Sequence, residues 1–281
     1  MVFLYQIPEM LVFPKAKINL GLMIKGKRPD GYHDIETVFY PVGLCDALEL
    51  VRDISGNGND ILTVTGYALP GRSEDNIVIK ALKKLREAFP IPPLGIHLHK
   101  NIPAGAGLGG GSSDAACMLQ TLKKIFRLPL GKEELKMITG GLGSDSPFFI
   151  ECQPAFATGR GEILTPINSF LSGFHIVLVN PGIQVSTKEA YEECIPLMSE
   201  VSLYETISKH VNEWKDFLFN DFEKSVFIRY PEIRAVKGKL YEAGALYSSM
   251  SGSGSTVYGI FNEKPYISDA LRKLVIYQGE L

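Results

Sequence analysis

The sequence predicts a mixed fold of strands and helices, arranged as two domains or as one large unit with a single crevice. Three observations carry this reading. The 281 residues exceed one ordinary domain. Strand-like alternation gives way repeatedly to apolar spacing of 3.6 residues. A glycine-rich loop at residues 103–114 separates a strand pattern from a helix pattern.

Taken in order, residues 16–24 and 34–42 alternate as strands around the turn Gly26-Lys27-Arg28-Pro29-Asp30-Gly31 and are expected to pair antiparallel. Ser73-Glu74-Asp75-Asn76 offers capping side chains ahead of Ile77, Ala81, Leu82 and Leu85, which predicts a helix to about Phe89, stopped by Pro90, Pro92 and Pro93. Residues 95–99 alternate as a strand, and residues 112–126 return to helical period with Ala115, Ala116, Leu119, Leu122 and Phe126 on one face. The turn Gly143-Ser144-Asp145-Ser146-Pro147 leads into an apolar segment expected to be a strand. Gly159-Arg160-Gly161-Glu162, with Pro166 just after, marks the expected boundary between residues 1–162 and 163–281. Beyond it, residues 174–179 and 256–261 read as strands and 188–194 as a helix.

A formal charge of -2 provides no positive field for a polyanion, so a small ligand is expected rather than nucleic acid. Cys45, Cys117, Cys152 and Cys194 are widely spaced without C-x-x-C, the usage of a reduced, cytoplasmic protein. The N-terminal stretch lacks a basic region and is interrupted by Pro8 and Glu9, unlike a signal peptide, and Met10 is an alternative start. No apolar run reaches membrane-spanning length.

Five of the seven residues 105–111 are glycine. Residues without Cβ let successive N–H groups turn toward an anion, and the first turn of the next helix adds unpaired N–H groups and the positive end of its dipole. That predicts a triphosphate cradle built from Pro103, Gly105, Gly107, Leu108, Gly109, Gly110, Gly111, Ser112 and Ser113. Ser112 is the candidate Mg²⁺ ligand, while Asp114 suits the helix dipole. Gly105-x-Gly107-x-x-Gly110 also matches a dinucleotide fingerprint, but the acidic residue required about twenty positions on would be Glu133 or Glu134, in a polar helix start. No Gly-Lys-Ser/Thr follows the glycines, and the protein-kinase motifs are absent.

At this loop the sequence resembles the GHMP kinases. Their other two motifs are also present in order, Lys15-Ala16-Lys17-Ile18-Asn19-Leu20 and Met250-Ser251-Gly252-Ser253-Gly254-Ser255-Thr256-Val257-Tyr258. The resemblance covers essentially the whole chain. It implies an α+β fold of two domains, an ATP-binding, ribosomal-S5-like part at residues 1–162 and a ferredoxin-like part at residues 163–281, with a crevice between them. It further implies ATP with Mg²⁺ and phosphoryl transfer to an alcohol. The runs Arg28-Pro29-Asp30-Gly31-Tyr32-His33-Asp34-Ile35-Glu36-Thr37 and Leu142-Gly143-Ser144-Asp145-Ser146-Pro147-Phe148-Phe149 are similar to those of family members whose acceptor is a cytidine diphosphate-linked polyol of the non-mevalonate isoprenoid route. Ser146 departs from that pattern, where an apolar residue is common.

The resemblance assigns Asp145 as base and acceptor contact, Lys17 as its cationic partner, and Asn19 and Gly252 to the acceptor region. It places Tyr32 and His33 at the cytosine, with Tyr191 as the opposite aromatic face, and Asn76 and Lys100 at the ATP base. His97 and His99 are expected on the solvent face of their strand rather than on a metal. The competing readings are a GHMP kinase for mevalonate, homoserine or a sugar, against which the Tyr32-His33 run argues, and a non-catalytic binding module, which would show a basic stripe.

Overall fold

The computed structural model describes residues 9–52, 58–194 and 202–281. The signal-peptide reading rests mainly on residues 1–8, which lie outside the described residues. The chain forms two compact units that interleave in sequence. The first takes described residues 9–16 with Leu44–Ala104 and Gly110–Cys152; the second takes Lys17–Gly43, Gly105–Gly109 and Gln153–Leu281.

Strands β1 (Met10–Val12), β2 (Lys15–Lys27), β3 (His33–Cys45), β4 (Ala47–Arg52) and β5 (Ile61–Gly66) open the chain. Helix α1 (Ile77–Arg86), β6 (Leu94–Lys100), α2 (Gly110–Phe126), α3 (Lys132–Gly140) and α4 (Phe148–Glu151) follow. Next come β7 (Ala155–Thr158), β8 (Ile163–Pro166), β9 (His175–Val179), α5 (Thr187–Glu192), α6 (Leu203–Ile207), α7 (Trp214–Phe217), α8 (Glu223–Arg229) and α9 (Pro231–Glu242). The chain finishes with β10 (Tyr247–Met250), β11 (Val257–Phe261), α10 (Asp269–Arg272) and β12 (Val275–Glu280).

In the first unit the sheet runs β1-β4-β6-β5, with only β5 and β6 parallel among its pairs. Strand β6 alternates as expected, burying Leu94, Ile96 and Leu98. His97 and His99 face outward, where both rings meet the Thr65 hydroxyl, at 2.9 and 2.8 Å. Helix α1 starts where its cap dictates, since the Asn76 side chain accepts from Val78 N at 3.0 Å. It buries Val78, Ile79, Ala81, Leu82 and Leu85 and packs against α2. Regular α1 ends at Arg86 rather than Phe89, and α2 begins two residues before the expected Ser112.

The second unit holds the sheets β2-β3-β7-β8 and β10-β11-β9-β12. Strands β9, β10 and β11 are buried almost without alternation, the mark of a sheet covered on both faces. Its core joins Leu22, Ile24, Val177, Val179, Phe222, Ile233, Leu240, Val257 and Phe261.

One local expectation is corrected. The apolar segment after Pro147 is helix α4, not a strand: Phe148, Phe149 and Ile150 are all buried, and a short continuous apolar run carries no period to tell the two apart. Gly159-Arg160-Gly161-Glu162 is the hairpin turn between β7 and β8, with Thr158 opposite Ile163.

Candidate active site

In the first unit, β6 delivers the chain to the glycine loop and α2 takes it away. Lys100 ends β6, and its buried ammonium lies between two carboxylates, pairing with Asp46 and, at 2.6 Å, with Asp114. Asp46 also accepts from Asn101 N at 2.6 Å and Ile102 N at 2.8 Å. The other Asp114 oxygen, Oδ1, is buried without a partner. Burial, with Asp46 adding to it, pushes the Asp114 carboxyl up to about 8 although Lys100 lies beside it. Lys100, expected at the ATP base, is thus committed to carboxylates at the root of the loop. Asn76 caps α1. Ser113 is buried, whereas Ser112 is partly exposed in the first turn of α2.

Asp145 sits half-exposed in a tight turn, fixed by Gly143 N to Thr139 O at 3.2 Å and Ser146 N to Gly143 O at 3.1 Å. A Cβ at Gly143 would come within 3.0 Å of the Ser146 hydroxyl and 3.4 Å of that of Ser112, so glycine lets this turn approach the start of α2. The Ser146 hydroxyl is buried and unpaired.

In the second unit the three motifs meet at one carbonyl. Lys17 Nζ donates to Asn19 Oδ1 at 2.6 Å and to Gly107 O at 3.4 Å, and lies 4.8 Å from the centre of the Phe39 ring. Ser251 Oγ donates to the same Gly107 oxygen at 2.8 Å. Asn19 N donates to Ser251 Oγ at 3.2 Å, and Tyr258 OH to Asn19 O at 2.8 Å. Gly107 holds φ +76°, and a side chain there would collide with the Ser251 carbonyl. Gly252 faces the same cluster, its would-be Cβ 3.4 Å from Asn19 Oδ1. The turn carrying Ser251 and Gly252 is held by Asn220, whose Nδ2 donates to Met250 O and Gly252 O, both at 2.8 Å.

Two of the aromatic residues expected at the cytosine lie together. Tyr191 stacks on His33, centroids 4.8 Å apart and planes 16° from parallel, while Arg160 lies 4.7 Å over the exposed Tyr32 ring. His33 opens β3, whereas Tyr32 still belongs to the turn before it. Burial, with Lys27 nearby, lowers the His33 pKa from its ordinary value, favouring the neutral ring.

Asn220 and Thr37 were missed as site residues. Thr37 closes the run Arg28–Thr37 with nothing in the sequence to single it out, and Asn220 offers only a polar pair, Asn220-Asp221, within an aromatic run.

Residues 76–151 match the GHMP kinases N terminal domain and residues 202–278 the GHMP kinases C terminal domain. The chain is 48% identical over 259 residues to the 4-diphosphocytidyl-2-C-methyl-D-erythritol kinase of Bacteroides fragilis, covering 92% of this chain and 94% of that one. It is 50% identical over 252 residues to the enzyme of the same name from Bacteroides thetaiotaomicron, covering 90% and 92%. A crystal structure of 4-(cytidine 5'-diphospho)-2C-methyl-D-erythritol kinase superposes with TM-score 0.78 at 29% identity, covering 96% of this chain and 98% of the other. A homoserine kinase structure from Cytophaga hutchinsonii shares the fold, at TM-score 0.61 and 16% identity, with 98% and 90% covered. Three motifs gathered on one glycine carbonyl, both family domains and relatives aligned along nearly the whole length lead to one conclusion: the chain belongs to the GHMP kinases.

Proposed function

We propose that this kinase transfers the γ-phosphoryl group of ATP to the 2-hydroxyl of 4-diphosphocytidyl-2-C-methyl-D-erythritol, in the non-mevalonate route to isoprenoid precursors. The kinase chemistry is carried by one observation: Lys17, Gly107 and Ser251, from three distant motifs, meet in one buried cluster. The choice of acceptor is supported by relatives of that name near 50% identity.

In this reading the 2-hydroxyl gives its proton to Asp145 and attacks the γ-phosphorus, with ADP leaving. Lys17 supplies positive charge where charge develops, its ammonium held in place by the oxygens of Asn19 and Gly107. Asn19 serves the acceptor through Lys17. The loop N–H groups and the α2 start cradle the phosphates, with Ser112 lending its hydroxyl. Mg²⁺ fits here as the companion of ATP: among the described residues no cluster of three His, Cys, Asp or Glu could hold a metal, and Ser112 is the oxygen assigned to it. The ion would offset phosphate charge. Tyr32, His33 and Tyr191 form the cytosine region, the base entering where His33 and Tyr191 now stack.

Residues 1–162 are taken as the ATP-binding domain and 163–281 as the second domain. No helix among the described residues is long and apolar enough to cross a membrane. The setting is taken as reduced and cytoplasmic, in keeping with four cysteines that form no disulfide among the described residues.

The test is an acceptor panel with ATP and Mg²⁺, with and without the cytidine diphosphate group, run beside Asp145→Asn. Phosphorylation restricted to the cytidyl acceptor, slowed by about 10²–10⁴ in the variant, is expected. Turnover of mevalonate or homoserine in its place overturns the acceptor.

A further inference from the structure

Thr37 has no assigned part in the chemistry, yet its hydroxyl bonds the residue that holds the Lys17 ammonium. Its Oγ1 donates to the Gly21 carbonyl at 2.5 Å and accepts from Asn19 Nδ2 at 3.0 Å. Thr37 is fully buried and Asn19 nearly so, so neither contact is exchanged with bulk water. The directions are forced. A carbonyl can only accept, so the single Thr37 proton goes to Gly21 O and a lone pair faces Asn19. An ammonium can only donate, so Lys17 requires the amide oxygen. One-way partners at both ends leave the Asn19 amide a single orientation.

We propose that Thr37 is a positioning residue for Lys17: its hydroxyl locks the Asn19 amide with Oδ1 toward the ammonium. This rests on the assignment of Lys17 above. Without the hydroxyl, Nδ2 of Asn19 loses its acceptor and the Gly21 carbonyl this donor, so the amide is held at one end only and no longer fixes the ammonium in place.

The experiment compares kcat, the KM for ATP and nucleotide affinity by calorimetry in Thr37→Val, Thr37→Ser, Asn19→Ala, Lys17→Met and the Thr37→Val/Asn19→Ala pair. Val keeps the Thr shape without the hydroxyl, and Thr37→Ala replaces it should Val not fold. The expected result is a kcat lower by about 10–100-fold in Thr37→Val. The KM for ATP and the nucleotide affinity hold within about 3-fold, and Thr37→Ser restores most of the rate. With Asn19 already removed, Thr37→Val has little further effect, because it acts through that amide. An unchanged kcat in a folded Thr37→Val, or an equal loss with Asn19 absent, overturns the proposal while leaving Lys17 in place. Full activity in Lys17→Met overturns the assignment of Lys17 itself.

Discussion

Two buried lysines of this chain are held in opposite ways. Lys100, in the first unit, lies between the carboxylates of Asp46 and Asp114. Lys17, in the second, donates to the neutral oxygens of Asn19 and Gly107 and faces an aromatic ring. A carboxylate cancels the field of an ammonium, whereas an amide or carbonyl oxygen fixes it in place and leaves its charge to act on a ligand. Lys100 is therefore a strut tying the end of β6 to the first turn of α2, and Lys17 is a cation kept for use.

Stability should separate them most. Lys100→Met leaves the buried Asp46 carboxylate and Asp114 carboxyl without a cation, and a loss of about 3–5 kcal/mol is expected from denaturant midpoints. Lys17→Met should instead keep its midpoint within about 1 kcal/mol while kcat falls by about 10²–10³. A variant pair that exchanged these two phenotypes would end the distinction.

A smaller effect sharpens the account of the strut. The Asp114 carboxyl is raised from 3.8 to about 8, so between those values the folded chain holds a proton that the unfolded chain releases. Its contribution to stability is full below about 4 and is lost as pH rises to about 8. Asp114→Asn should remove that decline, and the difference in denaturant midpoint between wild type and variant should change across this window; a constant difference would place the proton elsewhere.

The smallest change expected is a gain. The Ser146 hydroxyl is buried without a partner, so Ser146→Ala, which removes that hydroxyl and adds no bulk, should stabilise by about 1 kcal/mol, read as a raised melting temperature.

Features made by neighbouring residues were legible in the sequence. The Asn76 cap with the apolar face of α1, the alternation of β6 and the strand-loop-helix setting of the glycines each state a short-range rule, and the structure keeps them. Lys17, Asp145 and the loop were found through motifs. What stayed hidden depends on long-range partners: nothing near Lys100 in sequence announces Asp46, and Thr37 gains meaning only opposite Gly21 and Asn19. The stacking of Tyr191 on His33 likewise joins residues far apart in the sequence.

Gly107 has a consequence for inhibition. Its positive φ and the Ser251 carbonyl pressed against it exclude every side chain, so substitution cannot place a bulky group there without breaking the cluster that holds Lys17. A compound that took its affinity from the main chain at this residue would leave the cell few routes to resistance through that position.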